Sequence, residues 1–168
     1  MELKEFFLEQ LEREADSSRK TIERLPEGKN AWKPHERSMD LGYLAAMVAT
    51  MPGWVALMID RDELDLDDPL GATFRTKAVE TRAELLRLLD EGLEKSRTAL
   101  QKTTEQHLIK PWRLKRGDQV MTEGPRYVMI TDGALSHLAH HRGQLTVYLR
   151  LMEAKVPAIY GPSADEWH

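Results

Sequence analysis

The sequence has no cysteine among its 168 residues. This absence excludes disulfide-linked folds, thiolate zinc fingers, iron–sulfur clusters and cysteine nucleophiles. Any metal must therefore be bound through nitrogen and oxygen ligands, or at most through a methionine thioether. The chain is long enough to bury a core without cross-links, and we predict a single domain over residues 1–168.

Concentrated basic charge is also missing. Lys and Arg number 24 against 28 Asp and Glu, which gives a net charge of −4. Surfaces that bind nucleic acid need clustered basic residues, so we expect no nucleic-acid partner. The sequence has no uninterrupted run of about 20 apolar residues and no signal-peptide core at its start. We therefore expect no membrane association and a cytoplasmic location.

One short segment is strongly acidic. Residues 60–68 contain six Asp or Glu side chains and a single Arg. The segment lacks the glycine and the terminal glutamate that a calcium-binding loop requires at fixed offsets. We therefore interpret it as a solvated loop.

Four segments show apolar residues every three or four positions, which is the pattern of amphipathic helices. Pro52 lies inside the second of them and is expected to kink it. Residues 106–124 break the helical period and indicate a short hairpin or irregular excursion before the last helix. The sequence thus predicts an all-α, up-down four-helix bundle, or alternatively an all-α domain that completes its core by dimerising. The predicted helices cover residues 3–25, 39–59, 79–100 and 125–154.

A pair of histidines carries the clearest chemical signal. His137 and His141 are four residues apart on the apolar stripe of the last predicted helix, so their rings lie about one turn apart on one face. Two imidazoles at this spacing can chelate one metal ion. A hydrogen-bonded or solvent-exposed pair is the other interpretation, and the spacing alone leaves both open. His140 lies at the edge of the same face.

Three stretches of the chain carry a distinctive pattern. They are residues 137–150 (HLAHHRGQLTVYLR), residues 156–166 (VPAIYGPSADE) and residues 34–54, which end in Met-Pro-Gly-Trp. With these stretches the chain resembles the DinB-like (DinB/YfiT) superfamily of bacterial metalloenzymes, and the resemblance extends over essentially the whole chain.

The resemblance implies an up-down four-helix bundle that is commonly a homodimer. It also implies a divalent metal, often zinc or nickel, held near one end by three histidines. Two of these ligands match His137 and His141. Related proteins include hydrolases and thiol-cofactor-dependent transferases, and some belong to the stress or damage response. In the tail, Tyr160, Ser163 and Asp165 are candidates for the pocket or for an interface.

The third ligand expected from the family is absent, because Met47 occupies its position on the second helix. A thioether is a poor ligand for zinc, although it suits copper(I). In one interpretation the site still binds metal through His137, His141, water and a further donor, and supports hydrolysis or thiol transfer. In the other, Met47 fills the pocket and the protein is a non-catalytic, metal-poor dimer that binds a ligand or partner. We expect metal binding to be weak or absent.

Overall fold

Long helical segments make up most of the fold, and the computed structural model describes residues 2–69, 71 and 76–166. The first half contains helices α1 (Leu3–Ile22), α2 (Leu41–Thr50) and α3 (Trp54–Asp60), with a 3-10 turn (Met51–Gly53) between the last two. The second half contains α4 (Arg82–Lys102), α5 (Glu105–Ile109), α6 (Arg126–Met129), a π-helical segment (Ile130–Ser136) and α7 (His137–Leu151).

Local sequence signals explain where several helices begin. The Asp40 carboxylate caps α2 by accepting a hydrogen bond from the Tyr43 N–H at 2.9 Å. Thr81 caps α4 in the same way, since Asp and Thr side chains satisfy free N–H groups in a first helical turn. The expected interruption at Pro52 is confirmed, because the 3-10 turn replaces α-helix there.

Three strands form a mixed sheet within the described residues. They are β1 (Glu63–Asp65), β2 (Pro111–Arg116) and β3 (Gln119–Pro125), in the order β1-β2-β3. Strand β1 runs parallel to β2, with Leu64 opposite Leu114, and β2 pairs antiparallel with β3. A turn at Gly117, which has a φ of +54°, joins β2 to β3.

The predicted all-α, up-down four-helix bundle is therefore wrong, because the chain is about 59% helical and carries this sheet. The excursion before the last helix is a β-hairpin, as the change of period indicated. Strand β1 was not expected, because the acidic segment was interpreted as a solvated loop. Leu64 is buried, whereas Glu63 pairs with Lys115 of β2 at 2.8 Å. Packing on one face and ion pairing on the other thus hold this segment in the sheet.

The helices enclose an apolar core that continues beneath the sheet. Helix α2 packs on α4 and α7, and α1 packs on α4 and α7. At the other end, α3 and the π-helical segment pack with Trp112 and Leu108. The run Leu41–Asp60 is 20 residues long with a mean hydropathy of 1.6, which would suffice in length and composition to cross a membrane. It is 78% buried inside the fold, as expected for a core helix.

Candidate functional site

The two histidines of the last helix meet at their Nε2 atoms. His137 opens α7 and His141 follows one turn later, and their Nε2 atoms are 2.9 Å apart. His141 is buried, with 7% of its surface exposed, and His137 is half-buried. The Nδ1 atom of His141 lies 2.9 Å from the Gln144 side-chain oxygen, which orients this ring.

The surroundings favour the neutral form of His137. Burial lowers the pKa of His137, and the neighbouring His141 lowers it further, while a hydrogen bond with the Gly133 backbone acts in the opposite direction. Trp54 of α3 meets the His137 ring edge-on, with ring centroids 5.8 Å apart. His140 is exposed, and its ring lies 5.2 Å from that of His141. A neutral imidazole keeps a lone pair on one nitrogen, which can accept a proton or bind a metal.

Met47 is buried on α2, with 8% of its surface exposed. Its sulfur accepts a hydrogen bond from the Thr76 hydroxyl at 2.9 Å. Met47 belongs to the same apolar cluster as Leu138 and Leu145 of α7. Packing against apolar side chains and the Thr76 contact therefore accounts for this methionine without a metal.

His137, the more exposed member of the histidine pair, lines a cavity of about 300 Å³. The cavity lies between the sheet on one side and α3 with the π-helical segment on the other. His137 and Gly133 reach it from the last helical run, and the π-helical segment immediately precedes His137. Such irregular turns often occur at functional sites. The other lining residues are Trp54, Leu57, Met58, Leu64, Leu66, Gly71, Trp112, Leu114, Thr122 and Met129.

The ring nitrogens fit a divalent ion only in part. Imidazole nitrogens bind zinc at about 2.0–2.1 Å, so two nitrogens 2.9 Å apart can reach one ion. Zinc enzymes, however, generally provide three protein ligands. Across the described part of the chain, no group of three or more His, Cys, Asp or Glu side chains is placed to hold a metal. For a zinc ion, His137 and His141 alone would be an incomplete ligand set.

The three candidate residues of the tail, Tyr160, Ser163 and Asp165, form hydrogen bonds with residues that do not line the cavity. The Tyr160 hydroxyl donates to the Glu14 carboxylate at 2.8 Å. Asp165 accepts hydrogen bonds from Arg150 at 2.6 Å and from the Val156 N–H at 2.8 Å. The Ser163 hydroxyl donates to the Val156 carbonyl at 2.7 Å. These contacts hold the tail against α1 and the end of α7.

Two residues that shape the site, Trp112 and Arg126, were not predicted from the sequence. Trp112 is 2% exposed and lines the cavity. Arg126 is fully buried and donates to the carbonyls of Met58 at 2.5 Å and His107 at 2.9 Å. It thereby fixes the end of α3, which forms one wall. The alternation of apolar residues around Trp112 is the signal that could have predicted its inward orientation.

Comparison with known proteins gives one consistent result. A family model described as DinB family matches residues 1–168. An uncharacterised protein of Bacillus subtilis, YrdA, is 52% identical over 33 residues, which is 20% of each chain, so the match spans about one fifth of that relative.

Two crystal structures of DinB-like proteins share the fold. One, from Bacillus cereus, has a TM-score of 0.71 and 19% identity, covering 93% of this chain and 97% of its own. The other, YjoA from Bacillus subtilis, has a TM-score of 0.67 and 21% identity, covering 89% and 94%. These similarities extend over nearly the whole of each chain.

Proposed function

The chain belongs to the DinB family, and from that premise we propose that it is a small-molecule hydrolase or thiol transferase that uses a weakly held divalent ion. The observation that carries the proposal is the approach of the His137 and His141 Nε2 atoms to 2.9 Å, with His137 lining a cavity. A bound zinc or nickel ion would supply a Lewis acid that lowers the pKa of water or of a cofactor thiol.

The residues of this chain have distinct roles in the proposal. His137 and His141 offer nitrogen ligands, and Gln144 holds the His141 ring in one orientation, as partners of metal-bound histidines commonly do. Trp54 packs against His137 and restricts its ring. The apolar wall of the cavity excludes water around the reacting group, which strengthens electrostatic interactions there.

A second candidate function is a metal-poor binding module without catalysis. Met47 supports it, because its sulfur is buried and already engaged by the Thr76 hydroxyl. In this case the histidine pair keeps its direct hydrogen bond, and the cavity binds a ligand without transforming it. The two candidates differ in metal content under the same conditions.

Metal analysis of tag-free protein separates the two candidates. The protein would be dialysed to equilibrium against a known concentration of zinc or nickel, and the excess metal on the protein side of the membrane would be measured by mass spectrometry. We expect bound metal that falls sharply in His141→Ala, whereas His140→Ala is the matched control that retains it. Less than about a tenth of an equivalent in the wild type, unchanged by added metal, would favour the binding module.

We also propose a homodimer, as the family resemblance implies. Val147 and Leu151 are each 56% exposed, one turn apart on α7, and an apolar pair of this kind is suited to a subunit contact. Sedimentation velocity at micromolar concentration is expected to give the mass of a dimer. A monomer throughout that range would refute this proposal.

A further inference from the structure

The cavity beside His137 is too large to be a packing defect. Protein interiors contain few voids larger than a water molecule. A dry apolar cavity of about 150 Å³ is already enough to bind benzene, and this one measures about 300 Å³. The space therefore suits an organic molecule of roughly 10–15 non-hydrogen atoms.

The described part of the cavity wall does not offer a partner for a charged ligand. Within the described residues, its lining side chains are aliphatic, aromatic or thioether groups, apart from Thr122 and His137. The nearby Arg126 guanidinium is occupied, since it donates to backbone carbonyls and to Asp62 at 2.6 Å. A charged molecule would lose its hydration in this cavity without compensation.

Among the described residues of the wall, one buried polar group has no hydrogen-bond partner. Trp112 is 2% exposed, and its indole N–H makes no hydrogen bond among the described residues. Buried indole N–H groups normally find an acceptor. Trp112 lies in β2 and lines the cavity together with Leu114. The indole nitrogen has almost no accessible surface, so a ligand oxygen would become the missing acceptor once a small shift of the ring opens the N–H to the cavity.

We propose that the cavity binds an uncharged, largely apolar carbonyl compound whose oxygen accepts a hydrogen bond from the Trp112 indole N–H. This inference rests on the proposed function only in placing the ligand beside His137. It names the substrate class for a hydrolase or transferase, or the ligand class for a binding module. Binding itself requires no metal.

Three probes test the proposal on the full chain in the presence of EDTA. Acetophenone carries the carbonyl acceptor, α-methylstyrene replaces its oxygen by a methylene group, and benzoate adds a negative charge. The indole N–H signals of the four Trp residues would be followed by NMR during titration. The Trp112 signal is assigned as the one missing from Trp112→Phe.

We expect acetophenone to move the Trp112 N–H signal downfield. Trp112→Phe should weaken acetophenone binding about fivefold, as the loss of one neutral hydrogen bond predicts. The same substitution should change α-methylstyrene binding by less than about twofold, because that probe has no acceptor. Trp32→Phe is the matched control: Trp32 packs on Tyr148 outside the cavity and should leave both affinities unchanged.

Different results would overturn the proposal. If neither neutral probe affects the Trp112 signal at saturating concentration, the cavity is not a binding site. If Trp112→Phe weakens the binding of both neutral probes equally, the indole N–H is not the donor. If benzoate binds as tightly as acetophenone, the proposed ligand class is wrong. Since every titration is metal-free, failure of the metal proposal would leave these results unchanged.

Discussion

A buried charged cluster fixes the tail to the first and last long helices. Arg142 is 1% exposed and Glu14 is 6% exposed. The Arg142 guanidinium donates to the Glu14 carboxylate at 2.6 Å and to the Glu14 backbone carbonyl at 3.0 Å. It also donates to the Tyr160 hydroxyl, which in turn donates to Glu14 at 2.8 Å. Removing one member therefore affects the other two.

The structure gives different magnitudes for the two substitutions that test this cluster. Glu14→Ala leaves a buried guanidinium without its counter-ion, and we expect it to lower the free energy of unfolding by about 3–5 kcal/mol. Tyr160→Phe removes hydrogen bonds to charged groups but keeps the ring 5.2 Å from the guanidinium carbon. Because Tyr160 is 71% exposed, we expect a loss of only about 1–2 kcal/mol.

Urea denaturation followed by circular dichroism measures both effects. The double variant should lose less stability than the sum of the single variants, because both substitutions act on Arg142. Glu9→Ala is the matched control on α1, since Glu9 is exposed, and it should stay within about 0.5 kcal/mol of the wild type. If Glu14→Ala is no more destabilising than Glu9→Ala, or if the losses of Glu14→Ala and Tyr160→Phe simply add in the double variant, the coupling through Arg142 is refuted.

Two further predictions concern the histidine pair and the close approach of two helices. Burial and, to a smaller extent, His141 lower the pKa of His137, so the unfolded chain binds more protons than the folded chain as the pH falls below about 6.5, and the free energy of unfolding decreases. The urea midpoint should therefore drop less between pH 7.5 and 5.5 in His137→Gln than in the wild type. An equal drop in the two proteins would contradict this prediction. A Cβ on Gly92 would lie 3.0 Å from the Gly53 backbone nitrogen, so Gly92→Ala should cost about 1–3 kcal/mol. A Cβ added at Gly143 of α7 would meet no atom within 4 Å, so Gly143→Ala should stabilise the protein by about 0.5–1 kcal/mol. Thermal melts in which Gly92→Ala is more stable than Gly143→Ala would refute the packing argument.

The helices were predictable because their local pattern agrees with their tertiary packing. The spacing of Phe7, Leu11, Ala15 and Ile22 predicts one buried face, and all four are buried in α1. Pro52 likewise predicts the interruption that the 3-10 turn makes. These signals are local, so they can be recognised without knowing which segments pack together.

Strand β1 and the buried charges depend on partners that are distant in the sequence. The alternation of Glu63, Leu64 and Asp65 fits a strand, but a segment this short is held by pairing with β2, about 50 residues later. Glu14 lies outside the apolar spacing of α1, and it is buried because Arg142 reaches it from α7. The position of Trp112 beside His137 similarly depends on how the sheet packs on α3 and the π-helical segment.

Zinc titration of Met47→His tests the central claim most directly, because Met47 stands where the family resemblance predicts a third histidine. Calorimetry would compare the tag-free wild type with Met47→His and with Met121→His, a control on β3 that is 52% exposed. We predict that Met47→His raises zinc affinity by about tenfold or more, that His141→Ala abolishes the gain, and that Met121→His does not reproduce it. Equal zinc affinity in the wild type and Met47→His would contradict the assignment of His137 and His141 as an incomplete metal site.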